Sequence, residues 1–353
     1  MKITANKDRS GIALIIVLIV IVMLGILAGG FAYSMKVETT LARHASFSSQ
    51  LDWLGRGGVE LSKWILAMES SGQAAQYDSL KSYWAGGPGE TNGALAELAW
   101  PLKIGNGEID RPKFVDSDRK FNINRADEVI LRQGLTMVGV DAGSFTTIVG
   151  SILDWRDPDD NPHMGGTESE TYEQQDPPYF AKNGPIDDLS ELLLIRGITP
   201  AMYWGSSGGG LPQIFNRQAG GGSKFEEPSY AVGLVDLFTP LSGPLGVNIN
   251  TASATVLQMV PIIDENIAQA IIQARAGLDG QDGTEDDMPF RSPAINLPGL
   301  PPGFQIPPGI FSVKSQVFEV TISASIGSSK RQYIAVLRRL NAKDIVVLNM
   351  YWK

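Results

Sequence analysis

Gly11-Ile-Ala-Leu-Ile-Ile-Val-Leu-Ile-Val-Ile-Val-Met-Leu-Gly-Ile-Leu-Ala-Gly-Gly30 decides how the rest of the chain is read. It carries no charge, and none follows until Lys36. A helix of about 20 such residues crosses the hydrocarbon of a bilayer, whereas a buried core helix seldom goes so long without a polar side chain. The polar leader before it holds Lys2, Lys7 and Arg9 against Asp8 alone. By the positive-inside bias that end stays in the cytoplasm, so everything after Lys36 lies across the membrane. A signal anchor and a cleaved secretory signal are the plain alternatives. Against the second, the run is longer than an ordinary signal core and its glycines make a weak exit site.

Past the apolar run the helical pattern continues. Phe31, Met35, Leu41, Ala45, Phe47, Leu51, Leu54, Val59, Leu61, Trp64, Ile65 and Met68 recur at helical spacing with polar residues between them. The expectation is one helix over 12–68, membrane-embedded over about 12–34 and amphipathic afterwards, broken or softened at Gly29-Gly30 and at Gly55 to Gly58. Such a helix joins an anchor rigidly to a soluble domain.

The chain has 353 residues, enough for two or three compact units once the anchor is set aside. Its net charge is −9, which disfavours nonspecific nucleic-acid binding, since that affinity rests on cations neutralising phosphates. With no cysteine there is neither a disulfide framework nor a thiolate metal site. The 39 glycines and 21 prolines point to many turns between modest elements.

Residues 69–120 read as a Gly-rich connection, with a short helix about Tyr77 to Trp84, then two strands, Leu98–Ile104 and Glu108–Val115, about the turn Gly105-Asn-Gly107. The rest of that antiparallel sheet lies at 306–353. There Phe318–Ile326, Gln332–Arg338 and Asp344–Trp352 alternate with period two about the turn Gly327-Ser-Ser329. Residues 121–305 are then an insertion, and they contain a repeat. Phe121-Asn-Ile-Asn-Arg-Ala-Asp-Glu-Val-Ile-Leu131 matches Val247-Asn-Ile-Asn-Thr-Ala-Ser-Ala-Thr-Val-Leu257, with Asn-Ile-Asn, Ala and the final Leu identical. Each copy reads as a capped helix followed by an apolar one, Ser144–Trp155 and Asp264–Ala276, and Leu189–Ile195 is a further helix. Helix, glycine turn, helix is also the grammar of DNA-binding hairpins. The acidic balance and the few Lys and Arg nearby weigh against that use, and no nucleic-acid partner is expected.

Two loops could carry a cation. Asp154, Asp157, Asp159, Asp160, Glu168 and Glu170 crowd one Pro- and Gly-rich loop, where carboxylates repel one another unless a cation joins them; hard oxygen ligands in such a loop suit calcium. The alternative is a solvated acidic loop, with Asp154 capping its helix or pairing with Arg156 or Arg196. Asp279, Asp282, Glu285, Asp286 and Asp287 form a second cluster that lacks full EF-hand spacing, and it reads equally as a solvated turn. His44 and His163 are the only histidines. They form no HExxH pair, and His163 reads as a surface residue or a weak ligand. No phosphate-cradling motif is present; Gly205 to Gly210 and Gly220 to Gly222 read as flexible loops. An enzyme is not expected.

The junction Arg9-Ser10-Gly11-Ile12 resembles the processing site of type IV prepilin-like proteins, which a prepilin peptidase cuts after this glycine before the new amino terminus is methylated. That would make Gly11 the end of the leader (1–11) and Ile12 the first mature residue. The family usually has glutamate at the fifth mature position, and here it is Ile16. Asn122-Ile-Asn124, Leu153-Asp-Trp-Arg-Asp-Pro-Asp-Asp160, Gly166-Thr-Glu-Ser-Glu-Thr-Tyr172, Pro177-Pro-Tyr179, Asn183-Gly-Pro185, Leu189-Ser-Glu-Leu192, Ile195-Arg-Gly197, Val247-Asn-Ile-Asn-Thr-Ala252 and Phe311-Ser-Val313 follow in order the pattern of the general secretion pathway protein K family. The resemblance implies an α+β pseudopilin fold, in which a long amino-terminal helix lies on a small antiparallel sheet. It also implies a large inserted α-helical domain with two helix-hairpin-helix-like (SAM-like) repeats. It implies further a minor pseudopilin at the tip of the type II secretion pseudopilus, partnered by minor pseudopilins I and J, other pseudopilins and the prepilin peptidase. The chain would be anchored once in the bacterial inner membrane with its bulk in the periplasm, and calcium would be a structural cofactor. A membrane-tethered DNA-uptake protein and a minor pilin of a type IV pilus are the rival readings.

Overall fold

The computed structural model describes residues 10–70, 76–89, 94–95, 97–205, 230–294 and 306–353. Residues 1–9 of the leader, the glycine loops at 206–210 and 220–222, and the end of the insertion at 295–305 lie outside them. Helix α1 runs unbroken over Ser10–Glu69. Its first part, Leu14 to Leu41, exposes an almost continuous apolar surface, with Leu14 72%, Ile26 71% and Phe31 68% exposed, as a lipid-facing helix would. From Leu51 on, one face is buried: Leu51, Leu54, Val59, Ile65 and Leu66 pack on Phe318, Val320, Ile322, Tyr333 and Leu337 of the sheet.

The expected softening at Gly29-Gly30 and at Gly55 to Gly58 does not occur, and packing explains two of these glycines. A Cβ on Gly55 would lie 2.6 Å from the Tyr333 ring, and one on Gly58 would overlap the Ile322 side chain, whereas Gly57 faces open space. Gly55 and Gly58 let the helix backbone lie directly on the sheet. Gly58→Ala is therefore expected to destabilise by about 1–3 kcal/mol through overpacking, while Gly57→Ala gains roughly 1 kcal/mol of helix propensity. Denaturation midpoints of the two variants should move in opposite directions.

The sheet contains β1 (Leu102–Ile104), β2 (Gly107–Ile109), β3 (Lys113–Asp116), β8 (Val317–Ile326), β9 (Ser329–Asn341) and β10 (Asp344–Trp352). Its order is β1-β2-β8-β9-β10, with β3 also pairing β8, and every pairing is antiparallel. The two strands expected before residue 116 are thus three, because Pro112, which has no N–H for a ladder, separates β2 from β3. The expected helix at Tyr77 to Trp84 is a series of turns. The amides of Tyr83 and Trp84 are taken by the carboxylate of Glu69 at the end of α1, at 2.6 and 2.9 Å. Strands β3 and β8 are hydrogen-bonded neighbours, Asp116 opposite Phe318, so the insertion leaves and re-enters the sheet at one point.

Among the described residues the insertion has a single core built by both repeats, including Ile123, Leu131, Ile148, Trp155, Ile249, Leu257 and Ile271. The short strands β4 (Phe121–Asn122), β5 (Phe238–Thr239), β6 (Val247–Asn248) and β7 (Phe311–Ser312) form two parallel pairs, β4 with β5 and β6 with β7. The helices are α2 (Glu128–Val138), α3 (Phe145–Arg156), α4 (Ser169–Tyr172), α5 (Pro200–Trp204), α6 (Leu234–Leu237), α7 (Ala254–Leu257) and α8 (Glu265–Arg275). Leu189–Leu194, expected as an α-helix, is a 3-10 turn closed by an Asp188/Glu191 capping box.

The two repeats use each matching residue alike. The first Asn of each motif receives the backbone N–H two residues on, Asn124 N to Asn122 and Asn250 N to Asn248. The second Asn clasps a distant peptide by both its groups: Asn124 takes the N–H of Ile186 and donates to its carbonyl, and Asn250 does the same to Phe290. The arginine closing each second helix returns to the motif. Arg156 donates to the carbonyls of Ile123 and Ala126, and Arg275 to those of Ile249 and Ala252. The matching alanines, whose carbonyls these arginines hold, are buried, 4% and 0% exposed.

A buried polar cluster joins the insertion to the sheet. Asp116 accepts hydroxyl hydrogen bonds from Thr251 and Ser315, both at 2.6 Å, and Asp118 accepts the backbone N–H groups of Gly243, Gln316 and Val317. Arg339 pairs with Asp78 beside them. Burial pushes Glu69 up to about 7 and moves Asp116 and Asp118 upward as well. These folded-state values lie above the unfolded ones, so the folded chain holds more protons between about pH 4.5 and 7. The associated stability is present at low pH and is lost as pH rises through 7. Measured in chelator, the melting temperature should fall between pH 5.5 and 8 by roughly 3 °C or more.

A candidate cation centre in the inserted domain

Helix α3 ends in Leu153-Asp-Trp-Arg156, where the spacing puts Trp155 in the core and Asp154 under the loop that follows. Asp154 is fully buried. The loop returns through Gly165, in the left-handed region at φ 78°, and Gly166, whose missing Cβ makes the space that the Asp154 carboxylate occupies. Gly150, one turn back on α3, lets the Gly166 backbone approach the helix.

Asp154 Oδ1 accepts the backbone N–H of His163 at 2.8 Å and lies 2.6 Å from His163 Nδ1; Asp157 Oδ2 lies 3.5 Å from the same nitrogen. Asp154, Asp157 and His163 each offer a ligand atom within 4.8 Å of the others. Four buried carboxylate oxygens here, Asp154 Oδ2, Asp157 Oδ1 and both oxygens of Glu168, receive no hydrogen bond. Glu168 is itself 9% exposed. Burial first, then the charges of Asp154, Asp157, Asp160 and Asp159, push it up to about 7. Asp157 is raised by burial and by Asp159. Buried acceptors without donors are costly, and a divalent cation is the group that satisfies several at once.

Of the six carboxylates singled out in this loop, the structure brings Asp154, Asp157 and Glu168 inward. Asp159 stands at the exposed edge, held below its usual value by the N–H and side-chain amide of Asn161, and Asp160 receives the side-chain amide of Asn183. Glu170 is exposed in the first turn of α4. Asp154 caps nothing and pairs with neither Arg156, whose guanidinium is spent on carbonyls, nor Arg196, which reaches Thr167. His163 is the member that sequence reasoning placed at the surface. Its side chain is 45% exposed, and only the loop's return onto Asp154 makes it part of the cluster.

The second acidic loop follows α8 as the first follows α3, but it is closed by its own bonds. Arg275 makes a two-point bond to Asp282, at 3.0 and 2.7 Å. Asp286 accepts the N–H groups of Leu278 and Asp279 and the hydroxyl of Thr284, which with other bonds hold it down at about 2. Asp287 accepts from Gly283 and Thr284, Asp279 from Gln281, and Glu285 is exposed, with Lys81 on its backbone carbonyl. Hydrogen bonds within the chain thus engage Asp279, Asp282, Asp286 and Asp287.

The hairpins do not form phosphate cradles among the described residues. In the second, Pro261 has no N–H, and the amides of Met259, Val260 and Ile263 bond carbonyls of Val256, Leu257 and Val260. In the first, Gly139 and Val140 bond back to Leu135, and the carboxylate of Asp141 takes the N–H of Gly143. A turn whose amides are spent, beside a carboxylate, disfavours an anion.

Comparison with known proteins agrees with this architecture. The family model for protein K of the type II secretion system matches residues 114–204, and a helix-hairpin-helix model matches 245–279. A type II secretion system protein K of Pseudomonas aeruginosa is 23% identical over 348 residues, covering 95% of this chain and 90% of that one. A putative protein K of Escherichia coli K12 and a protein K of Klebsiella pneumoniae are 25% and 27% identical, and the matched part spans 61% of the length of each. The crystal structure of the GspK-GspI-GspJ complex from enterotoxigenic Escherichia coli contains a chain with the same fold, at TM-score 0.57 and 17% identity, covering 88% of this chain and 99% of that one. Over most of its length the chain is thus similar to protein K of the type II secretion system.

Proposed function

We propose that this protein is a minor pseudopilin at the tip of the type II secretion pseudopilus, where it starts and caps the fibre with minor pseudopilins I and J. The observation that carries the reading is α1. An exposed apolar half suited to lipid continues without a break into a half seated on the sheet, so a pull on one end moves the other. The insertion stands on the sheet at the β3/β8 stem and blocks the stacking of another subunit above it. Ile16 removes the carboxylate that a subunit lower in a fibre would offer to a neighbour's amino terminus. In this reading the chain is anchored in the inner membrane, carries its bulk in the periplasm and performs no turnover.

Asp154, Asp157 and Glu168 would hold calcium as a structural ion. The ion would supply the positive charge that lets these carboxylates stay ionised together, tying the end of α3 to the loop at Gly166–Glu168. Other pseudopilins and the prepilin peptidase are the further partners. The test is the mature amino terminus of the membrane-inserted chain. It should be Ile12, and a bulky substitution at Gly11 should leave the leader attached. A cut elsewhere, or an intact Met1, sinks the reading. Co-purification with I and J, lost in the unprocessed variant, separates this role from that of a type IV minor pilin.

A further inference from the structure

We propose that Asp116 is a proton-operated latch between the insertion and the sheet, which holds the stem of the insertion closed in mildly acidic medium and releases it as the medium turns neutral. The latch is independent of the cation centre. Asp116 ends β3, where the chain leaves the sheet, and is 2% exposed. Its Oδ2 lies 2.6 Å from the hydroxyl of Thr251 in the second repeat and 2.6 Å from that of Ser315, which leads into β8, while Oδ1 accepts the N–H of Asp118 at 2.8 Å. One carboxyl thus ties the insertion to both sides of its stem. Hydroxyl partners suit a group that gains and loses a proton, because each both donates and accepts. Thr251 Oγ1 also lies 3.4 Å from the carbonyl of Asn248, and Ser315 Oγ accepts the Asn248 side-chain amide at 2.7 Å. An ionised Asp116 accepts from both hydroxyls. A protonated Asp116 donates to Thr251, whose own hydrogen then turns to the Asn248 carbonyl, so neither state strands a partner. The neighbouring Asp118 has three N–H partners that can only donate, the set of a fixed anchor.

The charges around Asp116 set the direction. Asp118 faces it from the 3-10 turn Ser117–Arg119, and Asp78 from the turns after α1. Glu69, at the end of α1, shares with Asp78 and Arg339 the lining of a cavity of about 200 Å³, where Lys314 is exposed. Arg339, from β9, is committed to Asp78 and to the carbonyl of Ser315. The insertion contributes Thr251 and Asn248, which carry no charge. Ionising Asp116 therefore adds a buried negative charge beside Asp118 and Asp78 with no cation of its own. Burial, and after it the charge of Asp118, push the carboxyl up to about 7, so the closed stem keeps the proton below that pH. Opening hydrates the group and returns it to the usual carboxylate range of about 4. Opening thus releases a proton: the hold is complete at low pH and is lost as pH rises through 7.

The experiment uses the full chain in detergent micelles with chelator throughout, so that no cation loading accompanies the change of pH. Amide hydrogen exchange is read at Gly243, Gln316 and Val317 in the stem and at Tyr333 to Leu337 in β9, each relative to the unstructured rate at the same pH. Stem amides should exchange through a local opening, faster than β9 and unmoved by low urea, whereas β9 exchange should quicken with urea. Stem opening should grow about 10- to 30-fold between pH 5.5 and 7.5 and less than about twofold from 7.5 to 8.5, the shape for one carboxyl at about 7 when closed and about 4 when open. Asp116→Asn should stay within about threefold of the native pH 5.5 value throughout, because its amide donates to one hydroxyl and its oxygen accepts from the other at every pH. Glu69→Gln should keep the stem response, since Glu69 holds the amides of Tyr83 and Trp84 instead. A stem indifferent to pH, the native slope surviving in Asp116→Asn, its loss in Glu69→Gln, or stem exchange that matches β9 in rate and urea dependence would each overturn the proposal.

Discussion

Replacing Asp118 by alanine is expected to destabilise the protein by about 3–5 kcal/mol, as much as loss of a large core side chain. The carboxylate accepts three backbone N–H groups, those of Gly243, Gln316 and Val317, and the residue is 1% exposed. Alanine leaves all three donors buried without a partner, and each such group costs about 1–3 kcal/mol. Asp118→Asn keeps one oxygen acceptor and should lose less than half as much. The damage should also be local. Gln316 and Val317 lead into β8, and Gly243 belongs to the insertion, so the bonds that fail join the two bodies. Hydrogen exchange should quicken first at these amides, and a protease should cut the insertion stem before the sheet opens. Uniform loss of protection across both bodies would show that the cluster is not a junction.

The second large effect is expected from the cation. At a free ion concentration about 100 times its dissociation constant, a ligand that binds only the folded chain adds about 2.7 kcal/mol of stability. The melting temperature should therefore rise with added calcium and return with chelator. Asp154→Asn should abolish the response. It should also leave the chelated protein as stable as the native chain or more so, because it removes one of several carboxylates that repel one another when no cation joins them. Glu168→Gln should behave alike, since burial first, and then the charges of Asp154, Asp157, Asp160 and Asp159, push the Glu168 carboxyl up. Gly166→Ala offers a third route to the same loss, because its Cβ would occupy the space of the Asp154 carboxylate. A variant of Asp154 that still responds fully to calcium would remove this loop as the site.

Much of the architecture is legible in the chain because it is local. An uncharged apolar run, then an amphipathic continuation, specifies the long helix without reference to anything distant. Period-two alternation in the last forty residues marks the sheet, since alternate side chains along a strand face opposite sides. The Asn-Ile-Asn repeat is visible because each copy solves the same local problem with the same residues. The glycines of α1 misled for the opposite reason. Gly55 and Gly58 look like breaks until Tyr333 and Ile322, far along the chain, are placed against them.

The cation loops show the same division. Both are acidic, Gly-rich and placed after a second helix, and composition alone cannot separate them. In one, Arg275 and the loop's own amides engage carboxylates; in the other, Arg156 is spent on carbonyls and four buried oxygens are left unpartnered. His163 joins the cluster only because the chain turns back at Gly165 and Gly166. By itself the amino-acid sequence determined the apolar run, the continuous helix, the alternating strands and the family pattern, all of which depend on neighbours within a few residues. Tertiary structure alone decided which carboxylates lack partners, which histidine meets them, and that β3 and β8 join the insertion to the sheet at one buried cluster. A buried polar group is satisfied or left wanting by whatever the fold brings within about 3 Å, and spacing along the chain does not encode that.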